Sequence, residues 1–139
     1  MAITRTETQV TWSAANNVVV AGNGTQTSDT VTLDATCVNA QIHLKAANGG
    51  TPVAADVIYF WLLQTGGDPD GTGSDEFDTT DSSTALFLGV IDTNAVATGI
   101  TTVPLPLPQK SLQIYADGAT STTTQNITVS ATITEQRAA

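Results

Sequence analysis

Charge is scarce in this sequence, and basic charge is scarcest. Of 139 residues, 13 are acidic and four basic, a charged share of 12% where about a quarter is usual, and the formal net charge is −9. Four scattered cations cannot build the stripe that a phosphate backbone demands, which speaks against a nucleic-acid partner. Low charge beside an apolar share of 40% also argues against a disordered chain, because disorder needs low hydrophobicity and high charge together. Cysteine occurs once, at Cys37, so an internal disulfide is ruled out and packing alone must hold the fold. No run of about 18 apolar residues is present, and Met1 to Glu7 has neither a basic n-region nor an apolar h-region. The expectation is a soluble product of the cytoplasm with no membrane partner. The Asn-x-Thr matches at Asn23 and Asn126 then carry no meaning for glycosylation.

Strong helix formers are few as well, with Glu, Lys and Arg supplying only seven residues. In their place stand 26 Thr, 12 Val and 8 Ile, a third of the chain, whose β-branched side chains favour sheet. The length suits one domain over residues 1–139, with an extended N-terminal segment 1–8. Alternation marks the strands. Ile127, Val129, Ala131 and Ile133 alternate with Thr128, Ser130, Thr132 and Thr134; Val31, Leu33 and Ala35, and Ile42, Leu44 and Ala46, repeat the pattern. Val10 with Trp12, residues 17–21, and Leu112 with Ile114 suggest three more. Residues 57–63 are apolar at every position, so this segment is either a central strand covered on both sides or a strand whose second face meets a partner. Short strands between turn clusters, without a helical period, predict an all-β fold: a β-sandwich or jelly roll of about eight strands.

Three of the five prolines fall in Val103-Pro104-Leu105-Pro106-Leu107-Pro108. Alternate prolines remove every second backbone donor, which confines the segment to a sheet edge or the outside. It reads as a blunted edge strand, or as a stiff strip that docks its leucines on a neighbour. The candidate interface residues are therefore Val57, Tyr59, Trp61, Leu63, Val103, Leu105 and Leu107.

Six of the 13 acids crowd into residues 68–81 among glycines. With Asp68 as position 1 the loop matches an EF-hand in part, but position 12 is Thr79 where a bidentate Glu is needed. A solvated acidic turn is the plainer reading, and Asp68, Asp70, Asp75 and Asp78 are the calcium candidates beside it. Catalysis has little to work with. His43, the one histidine, lies on the polar face of its strand, Cys37 reads as a small packed thiol, and no serine sits in a nucleophile elbow. The chain reads as a protein without enzymatic chemistry and without a firm cofactor.

Tyr59 to Leu63 running into Gly67-Asp68-Pro69-Asp70-Gly71, then residues 75–79, 88–94, 103–106 and 127–135, resemble small structural proteins of tailed bacteriophages. In its Thr-, Ala- and Gly-rich, cysteine-poor, acidic all-β make-up the chain is similar to capsid decoration, or cement, proteins. That resemblance implies a homo-oligomer, a trimer, bound to the major capsid protein on the outer surface of the virion where capsomers meet. A place at the neck or tail, or a host-surface or glycan-binding module, is the alternative that the same architecture allows.

Overall fold

The computed structural model describes residues 2–50, 56–65, 68, 70–74, 76–78, 85–93, 98–107, 111–118 and 126–138. Among them are ten strands: β1 (Ile3–Gln9), β2 (Val18–Ala21), β3 (Thr25–Thr27), β4 (Val31–Thr32), β5 (Cys37–Asn48), β6 (Val57–Thr65), β7 (Leu86–Asp92), β8 (Thr98–Pro104), β9 (Ser111–Asp117) and β10 (Asn126–Ala138). They form two antiparallel sheets. The first has the order β1-β10-β5-β8, with β2 also paired to β10; the second has the order β3-β9-β6-β7, with β4 also paired to β9. Taken as one interrupted strand each, β1 with β2 and β3 with β4 reduce the count to the eight of a jelly roll, whose two sheets interleave in chain order in this way. The sequence expectation of a β-sandwich or jelly roll is met. Residues 3–8 of the expected N-terminal extension fall in β1, which is paired with β10 from Ile3↔Ala138 to Gln9↔Thr132.

Alternation decides what fills the space between the sheets. Ile42, Leu44 and Ala46 of β5 and Ile127, Val129, Ala131 and Ile133 of β10 face Ile58, Phe60 and Leu62 of β6 and Leu112, Ile114 and Ala116 of β9, all buried. The third segment read as alternating stops early. Val31 and Leu33 are buried, but Ala35 is exposed, and β4 ends at Thr32.

The interruptions that split eight strands into ten have a common cause. At Ser28, which separates β3 from β4, the hydroxyl oxygen accepts the Ile114 amide of β9 at 2.8 Å, where a regular ladder would offer a backbone carbonyl. The next residue, Asp29, accepts hydrogen bonds from the Thr11 hydroxyl (2.6 Å) and from the Ser13 (3.0 Å) and Ala14 (2.9 Å) amides, so it fixes the turn between β1 and β2. Ser13 and Ala14 hold positive φ there, at 47° and 66°, a conformation that side chains resist and that these bonds offset. The Thr11 hydroxyl first, then the two amides, hold the Asp29 carboxyl below its usual range.

On one side of the sandwich the edge strands β7 and β8 approach closely, and Gly99 makes this approach possible. A Cβ at Gly99 would overlap Cγ2 of Ile91, a buried β-branched side chain with little freedom at χ1. Gly99→Ala is expected to cost about 1–3 kcal/mol by overpacking. The check is a lower urea midpoint at unchanged m value.

Candidate functional site

The strand 57–63 is interior to its sheet, flanked by β7 and β9, yet it is covered on one face only. Ile58, Phe60 and Leu62 point into the core, whereas Val57, Tyr59 and Trp61 are half-buried on the outer face. Leu63 departs from this alternation and is buried. Register brings partners to the outward residues. Trp61 lies between Tyr115 of β9 and Phe87 of β7, and Tyr59 lies between Asp117 and Val90. The Trp61 and Phe87 rings are 5.0 Å apart at 59°, and those of Tyr59 and Phe87 are 6.4 Å apart at 46°. Four of the seven aromatics therefore share the outside of one sheet, with Phe87 48% and Val90 47% exposed. The outer face of the other sheet is mixed, carrying Gln41, His43 and Lys45 on β5 beside Thr132 and Ser130 on β10, with Ile100 of β8 (69% exposed) beside Lys45 and Val19 of β2 (46% exposed) beside Thr128, and no aromatic side chain among the described residues.

The proline strip lies elsewhere than expected of a docking surface. As an edge strand β8 pairs only with β5, and the Leu105 amide extends that pairing by donating to Ala40 O at 2.9 Å. Period-2 geometry then turns Pro104 and Pro106 outward and Leu105 into the core at 5% exposure, with Val103 and Leu107 packed against the core. Leu105 belongs to the core cluster, and Leu63, which lies outside that cluster, is 2% exposed, so neither offers surface to a partner. Pro108 lies outside the described residues.

In the acidic loop, Asp68, Asp70 and Glu76 bring one carboxylate oxygen each within 4.8 Å of one another. Asp68 also folds the loop, accepting the Thr72 amide at 3.1 Å and the Gly73 amide at 2.6 Å, and Gly71 and Gly73 supply the positive φ that the turn needs. Thr72 holds the Asp70 carboxyl below its usual range, by its hydroxyl first and its amide next. Such exposed hard oxygens suit calcium better than a softer metal. Of the four sequence candidates, Asp78 is engaged elsewhere: it accepts the Gln64 amide at 3.1 Å while its own amide donates to Gln64 O at 3.0 Å, so it pairs with the end of β6. Glu76 stands where Asp78 was expected, and Asp75 lies outside the described residues.

His43 is half-buried on the polar face, its Nδ1 2.7 Å from the Thr102 hydroxyl. It borders two shallow depressions of about 340 and 180 Å³, and among the described residues no carboxylate lines either of them. Cys37, half-buried at the start of β5, donates to Asn39 O at 3.3 Å. Burial, and then the nearby Glu135 carboxylate, push its thiol above the ordinary range, which keeps it protonated.

Glu135 is the buried charge that composition and motif alone do not reveal. It is 1% exposed and is gripped by Arg137 through Nη2 to Oε1 (2.8 Å) and Nε to Oε2 (3.4 Å), while Oε2 also accepts the Asp34 amide at 3.0 Å. Burial alone would raise its carboxyl, but the Arg137 and Asp34 hydrogen bonds and the Arg137 charge together hold it below its ordinary value. Its signal was parity: Glu135 continues the inward series of Ile127, Val129, Ala131 and Ile133. A second buried polar knot lies at the other end of β5, where Asn48 donates to the fully buried Asp56 at 3.1 Å and the Thr93 amide donates to Asp56 O at 2.9 Å.

No protein-family model matches the chain, and no curated protein matches it.

Proposed function

We propose that this chain is a non-enzymatic structural protein of a tailed-phage virion, a capsid decoration protein that binds the outer shell and stabilises it. The observation that carries this reading is the aromatic row on the outer face of the second sheet, where Tyr59, Trp61, Tyr115 and Phe87 lie side by side, while the outer face of the first sheet carries aliphatic Ile100 and Val19 among polar side chains and no aromatic one among the described residues. A contiguous apolar surface on a sheet is built to be covered, and its centre of Trp and Tyr side chains is what interface hot spots are made of. The resemblance over residues 55–135 supplies the shell as the partner and the trimer as the assembled form. With a net charge of −9, contact with packaged DNA is unfavourable, so the outer side of the shell is preferred. Stabilisation then follows from mass action: a ligand that binds only the closed lattice adds its binding free energy to the cost of opening it.

The test uses purified particles with and without the protein. Complete particles are expected to release DNA at a higher temperature, and Phe87→Ala, which trims an exposed ring on an edge strand, is expected to abolish that gain while the free subunit keeps its fold. Equal release temperatures, or density for the protein at the neck or tail in electron cryo-microscopy maps, would overturn the reading.

A further inference from the structure

The aromatic face has an acidic end. Register sets Asp117 directly beside Tyr59, and sets Asp92 directly beside Val57 on the same face, one diagonal step from Tyr59. Asp92 is exposed and Asp117 half-buried. The cations among the described residues, Arg5, Lys45 and Arg137, all belong to the other sheet. A second copy of this chain would bring a further net charge of −9 to an already acidic surface. The rings are also inclined to one another by 46° and 59°, not laid in the common plane that a run of sugar rings would stack on.

We propose that this face receives an arginine-bearing surface of a partner protein. A guanidinium is flat, weakly hydrated and permanently charged, so it can lie against Trp61 or Tyr59 while its N–H groups reach Asp117 and Asp92. Lysine supplies the charge without the planar fork and is a poorer fit. The assignment rests on the reading that the aromatic face is the docking surface, and it names the chemistry of what docks there.

The probe is a short peptide with three arginines separated by glycines, titrated against the intact protein while tryptophan fluorescence and amide chemical shifts are followed. Its lysine counterpart and a chito-oligosaccharide serve as comparisons. The arginine peptide is expected to perturb residues of β6 and β7 and to bind at least threefold more tightly than the lysine peptide. The isosteric pair Asp92→Asn and Asp117→Asn together should weaken it at least fivefold, and Phe87→Ala should remove most of what remains. Unchanged affinity in the Asn pair, equal binding of the lysine peptide, or saturation of this face by the oligosaccharide in place of the peptide would overturn the assignment. Particle binding separates the two levels of the argument. If Phe87→Ala abolishes it and the Asn pair leaves it intact, arginine recognition fails while docking by this face stands; if Phe87→Ala leaves it intact, both fail.

Discussion

Leu105→Asp is expected to unfold the protein and not merely to detach it from a partner. The leucine is 5% exposed, belongs to the core cluster, and is locked in place by its own amide bond to Ala40. Removing its transfer free energy costs about 2 kcal/mol. Placing a carboxylate there without a counter-ion adds several kcal/mol more, unless the group takes up a proton or the strand peels away. The sum is of the order of the whole stability of a domain, about 5–15 kcal/mol. Leu107→Asp, at a half-buried position two residues on, should leave a folded protein of lower stability. Circular dichroism melts and size-exclusion profiles of the two variants check the contrast. A folded Leu105→Asp with the parent melting temperature would show that the strip is exposed after all.

Arg137→Ala should produce a stability defect that depends on pH. In the parent, the Glu135 carboxyl titrates below its ordinary value of 4.5. Its ionised form therefore contributes stability that is fully present above the unfolded-state pKa and is lost as pH falls through the lower folded value. Without Arg137 the buried carboxylate keeps the Asp34 amide and the neighbouring Cys37 thiol, neither of which carries a positive charge, and the expected loss at pH 7 is about 2–4 kcal/mol. As pH falls to 4 and below, Glu135 in the variant takes up a proton and is tolerated in its pocket, so the gap to the parent narrows. Glu135→Gln keeps an acceptor for the Asp34 amide without burying a charge. Combined with Arg137→Ala it should restore part of the loss, a coupling that a double-mutant cycle in urea at pH 7 would measure. A deficit for Arg137→Ala of equal size at pH 7 and pH 4 would contradict this account of the pair.

Strands that bury one face were legible in the sequence because their alternation is a direct imprint of the pleat, as in residues 42–46 and 127–133. The strand breaks were not. They depend on Ser28 and Asp29 bonding to residues 86 and up to 18 positions away, and no local window contains both partners. The proline strip shows a different limit. Its edge position follows from missing donors, but which side the leucines take is fixed only by the side on which the core lies. That the strand at 57–63 lacks a polar face is plain from the sequence, whereas the aromatic row emerges only once register sets Tyr115 and Phe87 on either side of Trp61. In the acidic loop the composition was visible, and the exchange of Asp78 for Glu76 was hidden in the backbone path that turns Asp78 toward Gln64.

The position of β10 bears on how the chain is made. It lies inside the first sheet, paired with β1 and β2 on one flank and with β5 on the other, yet it follows every other strand in chain order. While a ribosome is still adding residues 126–138, the first nine strands lack the element that joins β5 to the N-terminal strands, and the apolar inner side of β5 has no lateral support on that flank. The nascent polypeptide must be kept from sticking to other chains throughout synthesis, and the native sheet closes in a late step that ties the two ends of the described chain together. Topologies so dominated by distant pairings fold slowly. The time between synthesis and closure of β10 is when aggregation competes most strongly with folding.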